Sequence, residues 1–370
     1  MTREFPAFDT DTHLPADPNI LAALDARTKA ALVDARPAQN ATHAPMAKWW
    51  AAKGRADART GHAKILVIGD SKSYGYPEGM LLSWPTGMMP RASFGPQTQP
   101  GASIAGVSSM PDPRWSIGSF QTVFGPGSGA LFGEPGAGAA ATYTPGVVVD
   151  TVDVWWYRAI GKGRFVVSID GIAQPAIDTN STDGSGGWRK TTFTVTANAG
   201  HSVSFARPTD GVVHFFVDAY QDTVKSIRLA NWGVIGSVTD TWANGPYSAE
   251  AITGWAPDLT LIMLGTNDGN SGTPAATWKV NIEKIIDAAK STGDVVLLSC
   301  IPSASGPALA GETAYRAIAP QVAAGKDVTY VDVFGKLGPY DPSLFADDLH
   351  PNGRGHANVA RIVAEALRSL

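Results

Sequence analysis

The sequence predicts an α/β fold in which a mostly parallel sheet, covered by helices on both faces, is interrupted by an antiparallel β-sandwich. Two observations predict the parallel sheet. Short β-branched apolar runs recur at 64–68, 226–230, 258–264, 294–299 and 327–333, and strands apolar on both faces suit a parallel sheet buried on both sides. From residue 226 onward these runs alternate with helical patterns, the order of a layered α/β domain. A third observation predicts the sandwich. Between about 147 and 220 the apolar residues take a period of two, with turn signals and no helical pattern.

Taken in order, residues 1–16 are polar, with Pro and His, and read as an extended arm. Asp17-Pro18 supplies an N-cap and a first helical residue, and the Ala-rich segment to about Arg36 carries Ile20, Leu21, Leu24, Leu32 and Val33. A second helical stretch spans about 45–59, with Trp49 and Trp50. Both are expected to pack on the main domain, an oligomer or particle contact being the alternative. Lys64-Ile-Leu-Val-Ile68 is the first strand, and the Gly/Pro/Ala stretch at 125–146 reads as loop. Val152, Val154 and Trp156 then alternate with Asp153 and Trp155. Phe165, Val167 and Ile169 alternate with Val166 and Ser168 and end at Asp170-Gly171, a hairpin turn. Phe193 and Val195 alternate with threonines, Val203 and Phe205 with serines, and 212–220 is a further run, making five or so strands. Helices are expected at 273–291, with Trp278, Ile282, Ile285 and Ile286 at helical spacing, at 312–324 and at 353–370. The chain therefore divides into an arm with helices (1–60), a first part of the α/β domain (61–108), the inserted sandwich (109–222) and a second part of the α/β domain (223–370).

The composition excludes several classes. Charged residues are 17% and hydrophobic ones 44%, a globular balance. The formal charge is −4 with no dense Lys/Arg run, so nucleic-acid binding has no electrostatic footprint. Cys300 is the only cysteine, which excludes an internal disulfide and a cysteine metal cluster and suits a buried core thiol. No apolar stretch reaches the roughly 18 residues of a membrane span. The opening Met-Thr-Arg-Glu-Phe-Pro lacks the apolar core of a secretory signal. The chain is thus expected inside the cell, or exported or carried on a virion by another route.

The chemistry sits at strand ends, where open α/β sheets place their sites. Gly69-Asp70-Ser71 follows the first strand directly, Gly265-Thr266-Asn267-Asp268 follows another, and Gly236 lies just past a third. Ser71 is placed to open a helix, whose N–H groups face a developing negative charge. In Asp347-Asp348-Leu349-His350-Pro351 the aspartate at 347 can orient the imidazole three residues on and leave its other nitrogen for Ser71. The bland alternatives are Asp70 or Ser71 as an ordinary N-cap and Asn267 as a loop residue satisfying its backbone. Asp348 competes with Asp347, His356 with His350, and Gly233 with Gly236. His356 falls in the C-terminal helical pattern and reads as structural; Asp268 is expected to stiffen its loop. Asp347, His350 and His356 together suggest a metal site, but no further His or Cys completes it, and neither metal nor cofactor is expected. Trp155, Trp156 and Tyr157 form a candidate sugar-stacking platform, with Trp84, Trp115 and Trp188 as further candidates.

The four blocks, with Asn231-Trp232-Gly233-Val234-Ile235-Gly236 as the second, resemble the SGNH (GDSL-type) hydrolase superfamily over about 61–90 and 225–370. That resemblance implies a three-layer, flavodoxin-like fold and a serine esterase working through an acyl-serine. It implies Ser71 as nucleophile, His350 as general base, Asp347 as its partner, and the Ser71 N–H, the Gly236 N–H and the Asn267 amide as oxyanion donors. One departure stands out. In most of the family the first two blocks lie a few dozen residues apart, whereas more than 160 residues separate Ser71 from Gly236 here. A sandwich beside such a core resembles carbohydrate esterases that remove acetyl groups from polysaccharides. The expected substrate is an acylated glycan, ahead of a small or lipid ester. A glycan-binding protein of a bacteriophage tail is the alternative from another class, with a homo-oligomer or a virion as its assembly.

Overall fold

The computed structural model describes residues 46–77, 83–91, 114–123, 130–245 and 248–369. The expected arm, the first helix and the boundary near 108 lie outside the described residues. The chain begins with α1 (Ala47–Asp57), β1 (Ala63–Gly69), α2 (Ser71–Tyr74) and α3 (Trp84–Arg91). An all-strand stretch follows: β2 (Trp115–Ser116), β3 (Gln121–Val123), β4 (Ala130–Gly133), β5 (Ala141–Tyr143), β6 (Val149–Arg158), β7 (Arg164–Phe165) and β8 (Val167–Ile169). It continues through β9 (Ile172–Ala173), β10 (Ile177–Asp178), β11 (Gly187–Asn198), β12 (Val203–Phe205) and β13 (Val213–Tyr220). Helix and strand then alternate: β14 (Ile227–Gly233), α4 (Thr239–Ala243), α5 (Ser248–Trp255), β15 (Leu259–Met263), α6 (Thr266–Asn270), α7 (Ala275–Lys290), β16 (Asp294–Leu298), α8 (Gly306–Gly325), β17 (Thr329–Val331), α9 (Val333–Leu337) and α10 (Gly353–Arg368).

The fold is α/β around a parallel sheet in the order β14-β1-β15-β16-β17, with every pairing parallel. With its strands renumbered by sequence this is the flavodoxin-like order, 2-1-3-4-5. One face is covered by α1, α3 and α10, whose Trp49, Met88, Val359 and Val363 meet Ile65, Val67, Leu261 and Val296. The other face is covered by α5, α7 and α8, whose Ile252, Ile282, Ile286, Ala319 and Val322 meet Leu66, Ile68, Ile262 and Leu297. Both faces of β1 are therefore dry, which is why its sequence is apolar without alternation. Helix α8 starts at Gly306, earlier than the expected 312. Pro307 falls in its first turn, where a missing N–H costs nothing because that donor has no intrahelical partner; the Gly-Pro pair looks like loop only when its place at a helix start is unknown.

The strands between β1 and β14 are antiparallel. They form sheets in the orders β11-β6-β13-β4-β3 and β2-β5-β12-β8-β9, with β10-β7 as a separate pair. Residues of both five-stranded sheets share one core: Val152 and Val154 of β6 and Phe215 and Val217 of β13 meet Tyr143 of β5, Val167 of β8 and Phe205 of β12. Among the described residues twelve strands stand where the period-two pattern suggested about five, because strands of two or three residues are too short to show a period. The turn at Asp170-Gly171 joins β8 to β9 with φ of 52° and 80°, the two left-handed residues of a tight hairpin turn.

The larger antiparallel sheet is covered on both faces. On β6, Val152 and Val154 enter the shared antiparallel core. Trp155 points the opposite way and joins Trp188, Phe216, Trp232 and Trp255 in the core of the parallel sheet. Trp155 lies parallel to Phe216, centroids 5.7 Å apart, and is 7% exposed. This corrects the sugar-stacking reading for Trp155: a buried ring cannot stack on a glycan. Trp156 is half-buried and its indole N–H donates to Thr191 Oγ1 at 3.0 Å. Trp84, Trp115 and Trp188 are buried as well. The alternating pattern showed that one tryptophan faces inward; it carried no sign that the outward face is covered by a second layer.

Two predictions follow from burial. Phe215 is fully buried against Phe165, Phe205 and Phe120. Phe215→Ala should cost about 3–5 kcal/mol, read as a lower urea midpoint; a midpoint at the wild-type value would deny the shared core. His356 is buried in α10, and burial pushes its pKa down from 6.5 to about 4. The unfolded chain then binds a proton between those pH values that the folded chain refuses, so stability falls as pH drops through that window. His356→Leu should remove that loss. Its unfolding midpoint, relative to wild type, should rise steadily as pH is lowered from about 6.5 to about 4.

Candidate active site

Ladder register brings three chain segments to one level. Gly69, the last residue of β1, is paired with Gly233 of β14 and Met263 of β15. The chain leaves the sheet just beyond each of these residues. Ser71, Gly236 and Asn267 therefore emerge around one point at the carboxyl edge of three adjacent strands.

Ser71 opens α2 and is buried. Asp70 caps that turn, its carboxylate accepting from Lys72 N at 2.9 Å, and burial pushes its pKa up to about 6. Gly233 and Gly236 have different jobs. A Cβ on Gly233 would meet the Tyr74 nitrogen at 2.4 Å, so Gly233 lets α2 press against β14. Gly236 is exposed and turns with φ of 79°, with nothing within 4 Å of where a Cβ would stand. Gly233 is thus spent on packing, and the exposed turn of this block is at Gly236. Asn231, at the head of the same block, donates to Ser73 O at 2.8 Å and accepts from Gly233 N at 3.0 Å, which ties β14 to the Ser71 turn.

Asn267 lies in the first turn of α6, and its amide donates to Ser237 O at 3.0 Å. That bond orients the group next to the Gly236 turn. Asp268 does not face the site. It is buried, accepts from Thr239 N at 3.0 and 3.1 Å and from Thr239 Oγ1 at 2.5 Å, and so locks the Asn267 turn to the start of α4. Burial pushes its pKa up, against the Thr239 hydrogen bonds.

His350 arrives on the loop before α10. Its Nε2 lies 3.0 Å from Ser71 Oγ, and its Nδ1 lies 2.9 and 3.1 Å from the two Asp347 oxygens. A carboxylate accepts only, so Nδ1 carries the proton and Nε2 is left to accept from the Ser71 hydroxyl. Asp347 also accepts from the backbone N–H groups of Leu349 and His350 at 2.8 and 2.6 Å. Burial opposes its ionisation, but the hydrogen bonds from His350 and these two N–H groups outweigh it and lower its pKa. The loop is stiff: Ala346 N donates to His350 O at 2.8 Å, and Asn352 caps α10 through Arg354 N and Gly355 N. The competitors fall away. Asp347, not Asp348, holds the imidazole, and His356 is enclosed in α10. Among the described residues no group of three His, Cys, Asp or Glu is placed to hold a metal ion, and no described helix is long and apolar enough to cross a membrane.

Other residues at the site carried no motif. The Tyr76 ring stands edge-on to His350 with centroids 4.6 Å apart. Tyr74, in the nucleophile turn, is buried in the core of the antiparallel sheets, and Tyr76 and Ile235 pack against that core. Lys72 forms a fully buried ion pair with Glu312 of α8 at 2.7 Å. The signal for Lys72 was a charged residue directly after the candidate nucleophile, but only tertiary structure supplies its partner.

Comparison with known proteins bears on the fold and the family. Residues 195–357 match the model of the GDSL-like Lipase/Acylhydrolase family, a span that holds Gly236, Asn267, Asp347 and His350, with Ser71 ahead of it. An arylesterase of Vibrio mimicus is 28% identical over 152 residues, 40% of this chain and 74% of the relative. A solved peptidoglycan O-acetylesterase shares the fold at a TM-score of 0.63 and 16% identity, over 86% of this chain and 94% of that one. The family match, lying over the parallel sheet and the blocks at its carboxyl edge, shows a GDSL-like (SGNH) lipase/acylhydrolase domain within this chain.

Proposed function

We propose that the protein is a serine esterase that removes O-acetyl groups from a glycan through an acyl-serine. The observation that carries the mechanism is the hydrogen-bonded chain from Ser71 Oγ through His350 to Asp347. His350 Nε2 takes the hydroxyl proton as Ser71 Oγ attacks the ester carbonyl carbon. The N–H groups of Ser71 and Gly236 and the Asn267 amide receive the negative charge of the tetrahedral oxygen. Collapse expels the alcohol, which takes the proton back from His350, and water repeats the sequence to release acetate. Asp347 stays ionised and stabilises the imidazolium; its lowered pKa favours that.

The glycan part of the reading rests on shape and likeness. The peptidoglycan O-acetylesterase shares the fold over most of both chains. We take the antiparallel stretch, about 109–222, as a unit inserted between the first two blocks that shapes the mouth of the site. The packing of Tyr74, Tyr76 and Ile235 against its core supports this.

The test is acetate release from an acetylated polysaccharide panel, run beside p-nitrophenyl acetate hydrolysis, for wild type and Ser71→Ala. Loss of both activities in the mutant is expected. Activity on the small ester alone would leave a serine esterase of another substrate class. No turnover, with glycan binding retained by Ser71→Ala, would favour the tail-adhesin alternative. Removing one oxyanion donor by Asn267→Ala should lower kcat about 10²-fold or more with little change in KM, since the charge it meets exists only in the transition state. A raised KM with unchanged kcat would assign Asn267 to ground-state binding instead.

A further inference from the structure

We propose that the buried Lys72–Glu312 ion pair is the positioning element of this site, holding the nucleophile turn, the Asn267 turn and the His350 loop in one arrangement. The inference rests on the esterase reading above for its kinetic part, and on geometry for the rest. Lys72 directly follows Ser71, and its side chain is 1% exposed against 0% for Glu312. The ammonium donates to Ile301 O at 2.6 Å, Ser303 Oγ at 3.1 Å and Glu312 Oε1 at 2.7 Å, which uses all three of its hydrogens.

Glu312 spreads the connection. Its Oε1 also accepts from Thr266 Oγ1 at 2.8 Å, and Thr266 is the neighbour of Asn267. Ser303 donates to it through Oγ at 2.8 Å and through its backbone N–H at 2.8 Å. The next residue, Ala304, donates its N–H to Asp348 O at 2.8 Å, inside the turn that presents Asp347 and His350. One buried pair therefore connects to all three segments: to the Ser71 turn directly, to the Asn267 turn through one hydrogen bond to Thr266, and to the His350 loop through Ser303, Ala304 and a second hydrogen bond.

Stability does not account for such a pair. Two buried charges lose so much hydration that apolar residues of similar volume often serve the fold as well or better. Directional hydrogen bonds are what an apolar replacement lacks. Displacing a reacting group by about 1 Å can cost about 10²-fold in rate, so a rigid strut beneath the three segments acts on kcat through Ser71, Asn267 and His350 without touching substrate.

The experiment compares wild type with Lys72→Met, Glu312→Gln and the double variant Lys72→Met/Glu312→Leu. Each single variant leaves a buried charge or its partners unmatched, and its unfolding midpoint should fall. The double variant should recover the midpoint yet keep a kcat on p-nitrophenyl acetate reduced about 10²-fold, with little change in KM. Thr266→Val, which cuts one tie and keeps the volume, should lower kcat by a smaller factor at a near-wild-type midpoint, and serves if the double variant does not fold. A stable double variant or Thr266→Val protein with wild-type kcat overturns the proposal. Crystal structures of the same variants give a readout free of activity. Ser71 Oγ and His350 Nε2 should separate beyond hydrogen-bond distance in the double variant, and the Asn267–Ser237 bond should break in Thr266→Val. Both contacts kept in place would overturn the strut even if the wild type proved to be no esterase.

Discussion

The site depends on one constraint, the ladder register of β1 with its two parallel neighbours. Hydrogen bonds set Gly69 level with Gly233 on one side and Met263 on the other. The chain runs from β1 to β14 and then crosses to β15, so β1 is where the strand order reverses, and a crevice opens above its carboxyl end. Every group of the proposed reaction except the His350 loop leaves the sheet at that level. A one-residue slip of either pairing would move Gly236 or Asn267 by more than 3 Å along the strand. The dry burial of β1 on both faces resists such a slip, because it would send apolar side chains to new places in two cores.

The antiparallel sheets are tied to this crevice and do not hang beside it. Tyr74 of the nucleophile turn sits in their core, and Ile235, next to Gly236, packs against it. A polar seam joins the two parts: Asp218 of β13 pairs with Arg228 of β14 and accepts from the Trp255 indole of α5 at 2.8 Å. Arg228 stacks over Tyr220, and Trp155, Trp188 and Phe216 close the apolar side. Such a seam makes the position of Ser71 depend on layers far along the sequence.

Polar groups inside the protein are used as ties between loops. Asp268 joins the Asn267 turn to α4, Asn231 joins β14 to α2, and Lys72 with Glu312 joins α2 to α6 and α8. In each case a side chain a few residues from a candidate reacting group is fully hydrogen-bonded away from substrate. A reacting group can then keep one geometry while its own polar atoms stay free for the chemistry.

The sequence alone determined the α/β class, the parallel strands and the four blocks, because a strand covered on both faces must be apolar throughout and a nucleophile at a strand end needs a tight turn. It also offered Ser71, Asn267, Gly236, Asp347 and His350 as candidates, since each lies beside such a strand or within three residues of its partner. It left Gly233 as a competitor to Gly236, because separating them depends on how closely α2 approaches β14. It offered Trp155 as a candidate sugar-stacking ring, because a period of two records which side a residue faces and not what covers that side. It left Lys72 and Tyr74 unremarked, because their partners, Glu312 and the core of the antiparallel sheets, are distant in sequence. Contacts of that kind exist only once the chain has closed on itself, and tertiary structure alone decided them.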